Sequence, residues 1–428
     1  MLVLSAAVGE GHRAAARALV TELALADPLI EAVHCDGLEA LGRLPRRMIS
    51  DIYRGQLRWM PWVYGLQYAL FARIAPARAL GRALLYLLGA RGLLRLVRAH
   101  EPDVVVSTQA AINAVLGRLR LRGLLEVPVC AAILDHEDFA FWAHRGIDHH
   151  LVMYEQSIAS VERVAGEGSA LRSRPLIDPD FFAPRARSEA RRTLELPVEG
   201  PVVVVSGGGW GVGDLRGAIR GALRASEATI VCLTGRNDQV RDELAGTFSG
   251  EPRVRVLGFT ERMSDLLAAS DALVLSSGGV TCLEALVRRC PIVTYGAPPG
   301  HARANARALA ELGLAQVAGS PLELEEALRV ALDQPPTLRP RLSGAPPASS
   351  LVLAARPRTP APGRRRPSGG LATVAAAAVL LAWAVTSHEY PHYVDGPVVE
   401  WREHSTAMPS RALPDLRHVL GTRWASSR

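Results

Sequence analysis

Short apolar segments that alternate with helical patterns are the feature of this sequence that most constrains its fold. Between residues 1 and about 335 there are nine such segments, each six to nine residues long with its flanking residues and rich in valine. Apolar strands separated by helices indicate a parallel sheet that is covered on both faces. Nine strands over this length predict two doubly wound α/β domains. The segments are MLVLSAA, DVVVST, VPVCAAIL, HHLVMY, PVVVVSGGG, ATIVCLTG, RVRVLGF, DALVLSSGG and CPIVTYGAP.

A change of composition near residue 175 predicts the boundary between these two domains. The stretch RSRPLIDPDFFAPRARSEARRTLELP is rich in proline and follows the first set of strands. We therefore predict one Rossmann-like domain over residues 1–175 and a second over residues 176–335.

Residues 336–428 have a different character. Two segments, QPPTLRPRLSGAPPASS and RPRTPAPGRRRPSGG, are rich in proline and arginine, as is typical of disordered chains. The following stretch, LATVAAAAVLLAWAVTS at 371–387, has 17 uncharged residues, which is the lower limit for a membrane span. Three arginines at 364–366 fit a span whose N-terminal side is cytoplasmic. A buried alanine-rich helix is the alternative.

The net charge indicates which kinds of partner the chain can bind, and the cysteine spacing indicates the redox state of its compartment. The chain has a formal charge of +7 and contains no lysine. A modest basic excess fits a phosphate ligand, an anionic membrane or nucleic acid, although biased base composition also explains the arginine usage. The five cysteines lack C-x-x-C spacing, which argues against a zinc ribbon and indicates a reducing compartment. We predict no signal peptide.

Glycine-rich turns follow several of the predicted strands. SGGGWGVGD contains Gly207, Gly208 and Gly209, and SSGGVTCLEAL contains Gly278 and Gly279 before a helix. Such a turn lets backbone N–H groups approach a phosphate at the positive end of the helix. In the second turn, Thr281 suits a diphosphate and Glu284 suits ribose hydroxyls. Neither turn is a Walker A motif or the first G-x-G-x-x-G unit of a dehydrogenase. Two such turns in one domain indicate a nucleotide.

Seven segments occur in the same order as in one enzyme family: SAAVGEGHRAAARAL, EPDVVVST, PLIDPDFF, SGGGWG, LTGRN, VLGFTERMSDLLAASDALVLSSGGVTCLEALVRRCPIVTY and PPGHARANARALAELGLA. The chain resembles the monogalactosyldiacylglycerol synthase and processive diacylglycerol glucosyltransferase family. The resemblance covers roughly residues 1–335 and is most specific over 254–314. It implies the GT-B fold, in which two Rossmann-like domains face a cleft. It also implies transfer of a sugar from a UDP-sugar to a lipid hydroxyl, with inversion and with no metal or other cofactor.

The resemblance also implies roles for individual residues. Gly9 and Gly11 form the loop that faces the cleft, and His12 and Asp135 are the catalytic residues. A helix-capping histidine with no chemical role is the alternative for His12. Phe259 offers its backbone to the uracil ring. The implied donor-binding residues are Gly207, Gly208, Gly209, Arg236, Asn237, Phe259, Gly278, Gly279, Thr281, Glu284, His301 and Asn305.

The sequence departs from the family pattern at two positions. His301 stands where most relatives have glutamine, which leaves the identity of the sugar open. Phe139 stands where the family usually has a histidine, which leaves the acceptor and the strength of the activity open. DHED, at residues 135–138, also has the composition of a metal site, but the resemblance favours a site without metal.

A basic, aromatic helical region over residues 46–98 predicts contact with a membrane surface. It contains ten arginines and one acidic residue, Asp51, and its tryptophans are Trp59 and Trp62. Amphipathic helices with arginine and tryptophan lie in membrane interfaces, whereas two ordinary covering helices are the alternative. Nucleic-acid binding uses similar residues, but no DNA- or RNA-binding motif accompanies them. We expect the protein to be located at the cytoplasmic face of a membrane.

These observations predict an inverting hexosyltransferase that acts on a UDP-sugar and a lipid acceptor. One alternative is a transferase, epimerase or hydrolase of the same fold that uses UDP-N-acetylglucosamine. Another is a relative that binds the nucleotide sugar and no longer transfers it.

Overall fold

The computed structural model describes residues 1–137, 139–333 and 344–358, apart from the side chain of Arg58. All of them belong to one compact unit, Met1–Trp383. The predicted span at 371–387 lies outside the described residues. Within the described ranges, no helix is both long enough and apolar enough to cross a membrane.

The first half of the chain forms a six-stranded parallel sheet. Its strands are β1 (Leu2–Ser5), β2 (Val33–Asp36), β3 (Val105–Ser107), β4 (Val129–Ala132), β5 (His149–Val152) and β6 (Ala170–Arg172). Their spatial order is β2-β1-β3-β4-β5-β6. The winding reverses between β1 and β3, and ligands bind beyond the carboxyl ends of strands at such a reversal.

The second half forms another six-stranded parallel sheet. Its strands are β7 (Val202–Ser206), β8 (Thr229–Leu233), β9 (Val254–Leu257), β10 (Ala272–Leu275), β11 (Ile292–Tyr295) and β12 (Gln316–Ala318). Their order, β12-β11-β10-β7-β8-β9, reverses between β7 and β10. The two predicted glycine turns follow these two strands, so both turns lie at the reversal. The predicted α/β architecture of two doubly wound sheets, the GT-B fold, is confirmed.

Helices connect the strands in both halves. Those of the first half are α1 (Gly11–Ala26), α2 (Gly37–Leu41), α3 (Arg43–Arg46), α4 (Tyr53–Trp59), α5 (Pro61–Arg73), α6 (Ala75–His100), α7 (Ala110–Leu121), α8 (Phe139–Trp142) and α9 (Glu155–Ala165). A π-helical stretch, Arg47–Ile52, precedes α4. Proline opens α5, where its fixed φ is favourable and its missing N–H has no helical partner.

The remaining helices belong to the second half and the end of the described chain. They are α10 (Arg187–Thr193), α11 (Leu215–Ala225), α12 (Asp238–Thr247), α13 (Met263–Ala269), α14 (Val280–Val287), α15 (His301–Glu311), α16 (Pro321–Asp333) and α17 (Ala348–Leu353). Short 3₁₀ turns occur at Pro179–Phe182 and Gly208–Trp210. The predicted boundary at residue 175 stays a prediction; the strands of the first sheet end at Arg172, and those of the second begin at Val202.

Valine-rich strands supply the core of each sheet. All four valines of β7, Val202 to Val205, are 0% exposed. Burial of one such side chain contributes about 1.5–3 kcal/mol relative to full exposure. Because alternate residues of a strand face opposite sides, Val202 and Val204 pack in one cluster while Val203 and Val205 pack in another. Helices therefore cover both faces of the sheet.

The end of the described chain returns to the first half of the molecule. Helix α17 packs on α1, and Ala348 and Val352 are buried there. Glu22 of α1 is 3% exposed and holds this contact together. Its Oε1 accepts from Nη2 of Arg174 at 2.8 Å, and its Oε2 accepts from the backbone N–H of Ser349 at 3.1 Å. One buried carboxylate thus joins α1, the interdomain segment and α17.

We expect Arg174→Ala to lower the free energy of unfolding by about 3–5 kcal/mol, because it leaves the buried Glu22 carboxylate without its counter-charge. Urea denaturation followed by circular dichroism measures this. Arg46→Ala is the matched control, since Arg46 pairs with Glu39 at 3.4 Å on the surface and such pairs contribute at most about 1 kcal/mol. Equal effects of the two substitutions would contradict this account.

Candidate functional site

Two helix N-termini, one from each half of the molecule, meet in a cleft. Helix α1 begins at Gly11 and α14 begins at Val280. A Cβ built on Gly11 would lie 3.3 Å from Cγ2 of Val280, so the two ends are in direct contact. Each N-terminus offers unpaired backbone N–H groups and a partial positive charge. The cleft is therefore suited to an anionic ligand.

The two predicted phosphate glycines of the second turn have different surroundings. A Cβ on Gly278 would overlap the side chain of Asn305, so this glycine is needed for the packing of α15. Gly279 is the N-cap of α14, and a Cβ built there would have nothing within 4 Å. The open space at Gly279 is where a diphosphate could approach the backbone. Only Gly279 therefore has the environment that the sequence predicted for both.

The first glycine turn is packed tightly. A Cβ on Gly207 would lie 2.7 Å from the backbone of Gly211, and one on Gly209 would lie 2.5 Å from Cγ of Glu10. Gly208 has φ +66°, in the left-handed region that favours glycine. The turn thus touches the loop that precedes α1. In that loop, Gly9 also has φ +66° and has open space around its Cβ position.

His12 is held by a backbone carbonyl across the reversal of the first sheet. Its Nδ1 lies 2.6 Å from the carbonyl oxygen of Thr108, which can only accept a hydrogen bond. Nδ1 therefore carries the hydrogen, and in the neutral ring Nε2 keeps its lone pair. Burial lowers the pKa of His12 below its ordinary 6.5, whereas nearby Asp135 opposes this shift. A neutral imidazole with Nε2 as proton acceptor is the form of a general base.

Asp135 is fully engaged in hydrogen bonds and joins the two halves. Its Oδ2 accepts from the indole N–H of Trp142 at 2.6 Å, and its Oδ1 accepts from Nδ2 of Asn305 at 2.8 Å. The Oδ1 of Asn305 in turn accepts from the backbone N–H of His136 at 2.9 Å. Asp135 also raises the pKa of His12 and so favours its charged form. Asn305, 2% exposed, links the two halves of the molecule.

His301 lies at the first position of α15 and is enclosed by tyrosines from the first half. The hydroxyl of Tyr64 lies 2.9 Å from its Nδ1, and that of Tyr53 lies 3.4 Å from both ring nitrogens. Burial lowers the pKa of His301 and raises the pKa of Tyr64 well above its ordinary value. Both groups are therefore neutral at physiological pH.

Arg236, Asn237 and Phe259 lie just beyond the ends of strands β8 and β9. The Arg236 guanidinium lies 4.0 Å from the centroid of the Phe259 ring, and its Nε donates to Oε1 of Glu10 at 2.8 Å. Asn237 caps α12 by accepting from the N–H of Val240 at 3.2 Å. Arg236 thus makes a further contact between the halves, while Asn237 has a structural task and its donor contact stays a prediction.

Thr281 and Glu284 lie on consecutive turns of α14. Thr281 hydrogen-bonds to Glu284, whereas burial and the nearby Asp178 raise the pKa of Glu284 to about 7. Ionised Glu284 therefore lowers the stability of the fold, and it lies on the helix whose N-terminus lines the cleft.

Trp59, Trp62 and Phe139 lie outside this group of residues. Trp59 and Trp62 are 66% and 68% exposed. Phe139 is half-buried and packs against the core beside Trp142. Among the described residues, which leave out Asp138, no cluster of histidine, cysteine and acidic side chains could hold a metal ion.

The sequence did not single out several residues of the site. Tyr53 and Tyr64 contact predicted residues but carry no motif of their own, and Glu10 lies within SAAVGEGHRAAARAL without an assigned role. Trp142 was not singled out either, and its indole N–H donates to Asp135.

Family models of known proteins match both halves of this chain. Residues 12–166 match the family model of monogalactosyldiacylglycerol (MGDG) synthase, and residues 202–344 match that of the glycosyltransferase family 28 C-terminal domain. The first half of the chain thus resembles the monogalactosyldiacylglycerol synthases, the second half resembles the family 28 glycosyltransferases, and the fold is GT-B.

Individual relatives are distant. The processive diacylglycerol beta-glucosyltransferase of Bacillus pumilus is 24% identical over 54% of this chain and 60% of its own length. Monogalactosyldiacylglycerol synthase 1 of Arabidopsis thaliana is 26% identical over 55% of this chain and 46% of its own length. The matches thus span about half the length of these relatives.

A solved structure with the same fold is that of UDP-GlcNAc 2-epimerase from Neisseria meningitidis bound to UDP-GlcNAc. It covers 82% of this GT-B chain and 98% of its own, with 13% identity and a TM-score of 0.52. At this identity the likeness concerns the fold alone.

The raised pKa of Glu284 predicts a pH-dependent cost in stability. Below pH 4.5, its ordinary value, the carboxyl is neutral in the folded and unfolded chains, and there is no cost. As the pH rises through the folded value of about 7, the buried carboxylate lowers the free energy of unfolding by up to about 3 kcal/mol. We expect Glu284→Gln to stabilise the protein at pH 8 by up to this amount and to have little effect at pH 4.5.

Urea denaturation at the two pH values measures this difference. Glu261→Gln, at an exposed position, is the control and is expected to change stability by less than about 0.5 kcal/mol. A Glu284→Gln effect that is the same at both pH values would mean that the carboxyl titrates normally.

Proposed function

We propose that this chain transfers a hexose from a UDP-sugar to a hydroxyl group of a lipid, with inversion at the anomeric carbon and without a metal ion. The observation that carries the proposal is the meeting of two helix N-termini, one bearing His12 and the other capped by Gly279. It brings a neutral proton acceptor beside an open anion-binding position. The proposed site lies on the cytoplasmic face of a membrane.

In the proposed reaction, Nε2 of His12 takes the proton of the lipid hydroxyl. The hydroxyl oxygen bonds to the anomeric carbon from the side opposite the diphosphate, and the bond from that carbon to the diphosphate oxygen breaks. Asp135 stabilises the imidazolium that results. The leaving UDP gains negative charge, which the N-terminus of α14 at Gly279 favours by about 0.3–2 kcal/mol. His12 then returns its proton to solvent.

The donor is proposed to lie along the second sheet. Gly207–Gly209 and Gly279 border its diphosphate, with Thr281 on the same helix, and Glu284 accepts from its ribose hydroxyls. Phe259, with Arg236 above its ring, is at the uracil end. His301 and Asn305 face the hexose. The UDP-GlcNAc 2-epimerase structure, which has the same fold, holds UDP-GlcNAc, and this supports a UDP-sugar as the ligand.

A lipid acceptor is supported by the named relatives and by the surface of the first half. Both relatives are named for diacylglycerol chemistry. Trp59, Trp62 and Leu66 are exposed on α4 and α5, and Leu66 is 67% exposed. With the exposed arginines of residues 46–98, among them Arg46, Arg47 and Arg73, this region suits an anionic membrane. A UDP-GlcNAc epimerase or hydrolase has the same fold and is the second candidate.

Release of UDP from UDP-glucose, UDP-galactose and UDP-GlcNAc, with and without vesicles of phosphatidylglycerol and diacylglycerol, tests the proposal. We expect release to require the diacylglycerol, and His12→Ala to lower kcat by about 10²–10⁴-fold, the usual contribution of general base catalysis. The matched control is His100→Ala, on an exposed helix end, which is expected to leave kcat unchanged. Release without lipid would favour the epimerase or hydrolase.

The pH dependence of kcat tests the role of His12 separately. Because only neutral His12 accepts a proton, kcat is expected to fall as the pH drops through the pKa of His12. Asp135 raises that pKa, so Asp135→Asn is expected to move this acid limb to lower pH. An acid limb that stays in place in Asp135→Asn would show that another group titrates.

A further inference from the structure

An arm of the first half reaches into the part of the cleft that is formed by the second half. This α4–α5 arm, residues 53–73, carries Trp59, Trp62 and Leu66 on its exposed side. Its other side carries Tyr53 and Tyr64, whose hydroxyls lie beside the His301 ring. The same helix, α5, therefore has an outer face that is proposed to meet lipid and an inner face that meets the donor half.

The contact between the arm and the donor half depends on two glycines. A Cβ on Gly65 would lie 2.7 Å from Cβ of Pro299. A Cβ on Gly300 would overlap the Tyr64 ring, and Gly300 has φ +95°, a conformation that other residues rarely adopt. The backbones thus approach closely at this point because both positions lack a side chain. Tyr64 is consequently held against the first residue of α15.

The direction of the Tyr64–His301 hydrogen bond decides whether His301 can donate a hydrogen bond to a ligand or accept one from it. A neutral imidazole has one N–H and one acceptor nitrogen. If the Tyr64 hydroxyl donates to Nδ1 at 2.9 Å, the hydrogen of His301 is on Nε2. His301 lies one helical turn before Asn305 on α15, and Asn305 bonds to Asp135, so the His301 ring borders the end of the cleft where Asp135 lies. Nε2–H is then a hydrogen-bond donor to a hydroxyl of the hexose.

We propose that Tyr64 is a positioning residue for the donor hexose: its hydroxyl donates to Nδ1 of His301 and fixes Nε2–H as the donor to the sugar. The inference rests on the proposed function, because it requires a nucleotide sugar in this cleft. It adds that the first half of the molecule, through an arm with a lipid-facing side, takes part in the recognition of the donor sugar.

The test is a comparison of UDP-hexose binding with UDP binding to the full chain. Affinities for UDP-glucose, UDP-galactose and UDP are measured by calorimetry for wild type, Tyr64→Phe, His301→Ala and the double variant. Tyr86→Phe is the control, since Tyr86 is buried on α6 and accepts from Arg122 at 3.3 Å. We expect Tyr64→Phe to weaken the preferred UDP-hexose by about 5–10-fold, as loss of one hydrogen bond does, and UDP by less than about twofold.

The double variant separates positioning from a structural role. If Tyr64 acts through His301, Tyr64→Phe has no further effect once His301 is alanine. An equal loss for UDP and UDP-hexose, no loss, or an undiminished loss in the His301→Ala background would each overturn the proposal. Failure of the wild type to bind UDP would overturn the donor site of the proposed function as well, whereas UDP binding with an unaffected Tyr64→Phe would overturn this inference alone.

A spectroscopic measurement on the wild type tests the proposal without depending on whether a variant folds. The ¹⁵N shifts of the His301 ring distinguish the two neutral tautomers. We expect the hydrogen on Nε2 in the wild type and a mixture of tautomers in Tyr64→Phe. A hydrogen on Nδ1 in the wild type would overturn the proposal.

Discussion

The geometry of the cleft depends on the hydrogen bonds that the Asn305 side-chain amide makes across the two halves. Its two ends bond to Asp135 and to the backbone of His136, so one side chain of the second half fixes the loop after β4 in the first. Because Asp135 also accepts from Trp142, that loop has little freedom to move. The Gly278 position, which tolerates no side chain against Asn305, completes the contact. The electrostatic surroundings of His12 thus depend on a residue from the other half.

The fold was largely predictable because the central strands are buried on both faces. The nine predicted segments correspond to nine strands of the two sheets. The three strands that were missed, β2, β6 and β12, all lie at sheet edges. None of them is fully buried, and their sequences VHCD, ALR and QVA are short or polar. An edge strand has one neighbour and partial cover, so its sequence carries little of the apolar pattern on which such a prediction depends.

The site was predictable where glycine or a family motif marks it, and not where tertiary contacts create it. Gly279 has the open N-cap position that a phosphate turn needs, but Gly278 looks identical in sequence and serves helix packing. Tyr64 is more than two hundred residues from His301 along the chain, so no local sequence pattern predicts their contact. The hydrogen bond from His12 to the Thr108 carbonyl is likewise invisible in sequence, because backbone acceptors carry no residue signature.

The return of α17 to α1 bears on the order in which the chain folds. Residues near 350 fill space beside the first sheet and donate a backbone hydrogen bond to the buried Glu22. The ribosome makes α1 early and α17 only after the entire second half. During synthesis the surface of α1 around Glu22 therefore lacks its contact with α17 until the second half has been made. Completion of the N-terminal core is thereby a late, long-range event, with the high contact order that slows folding.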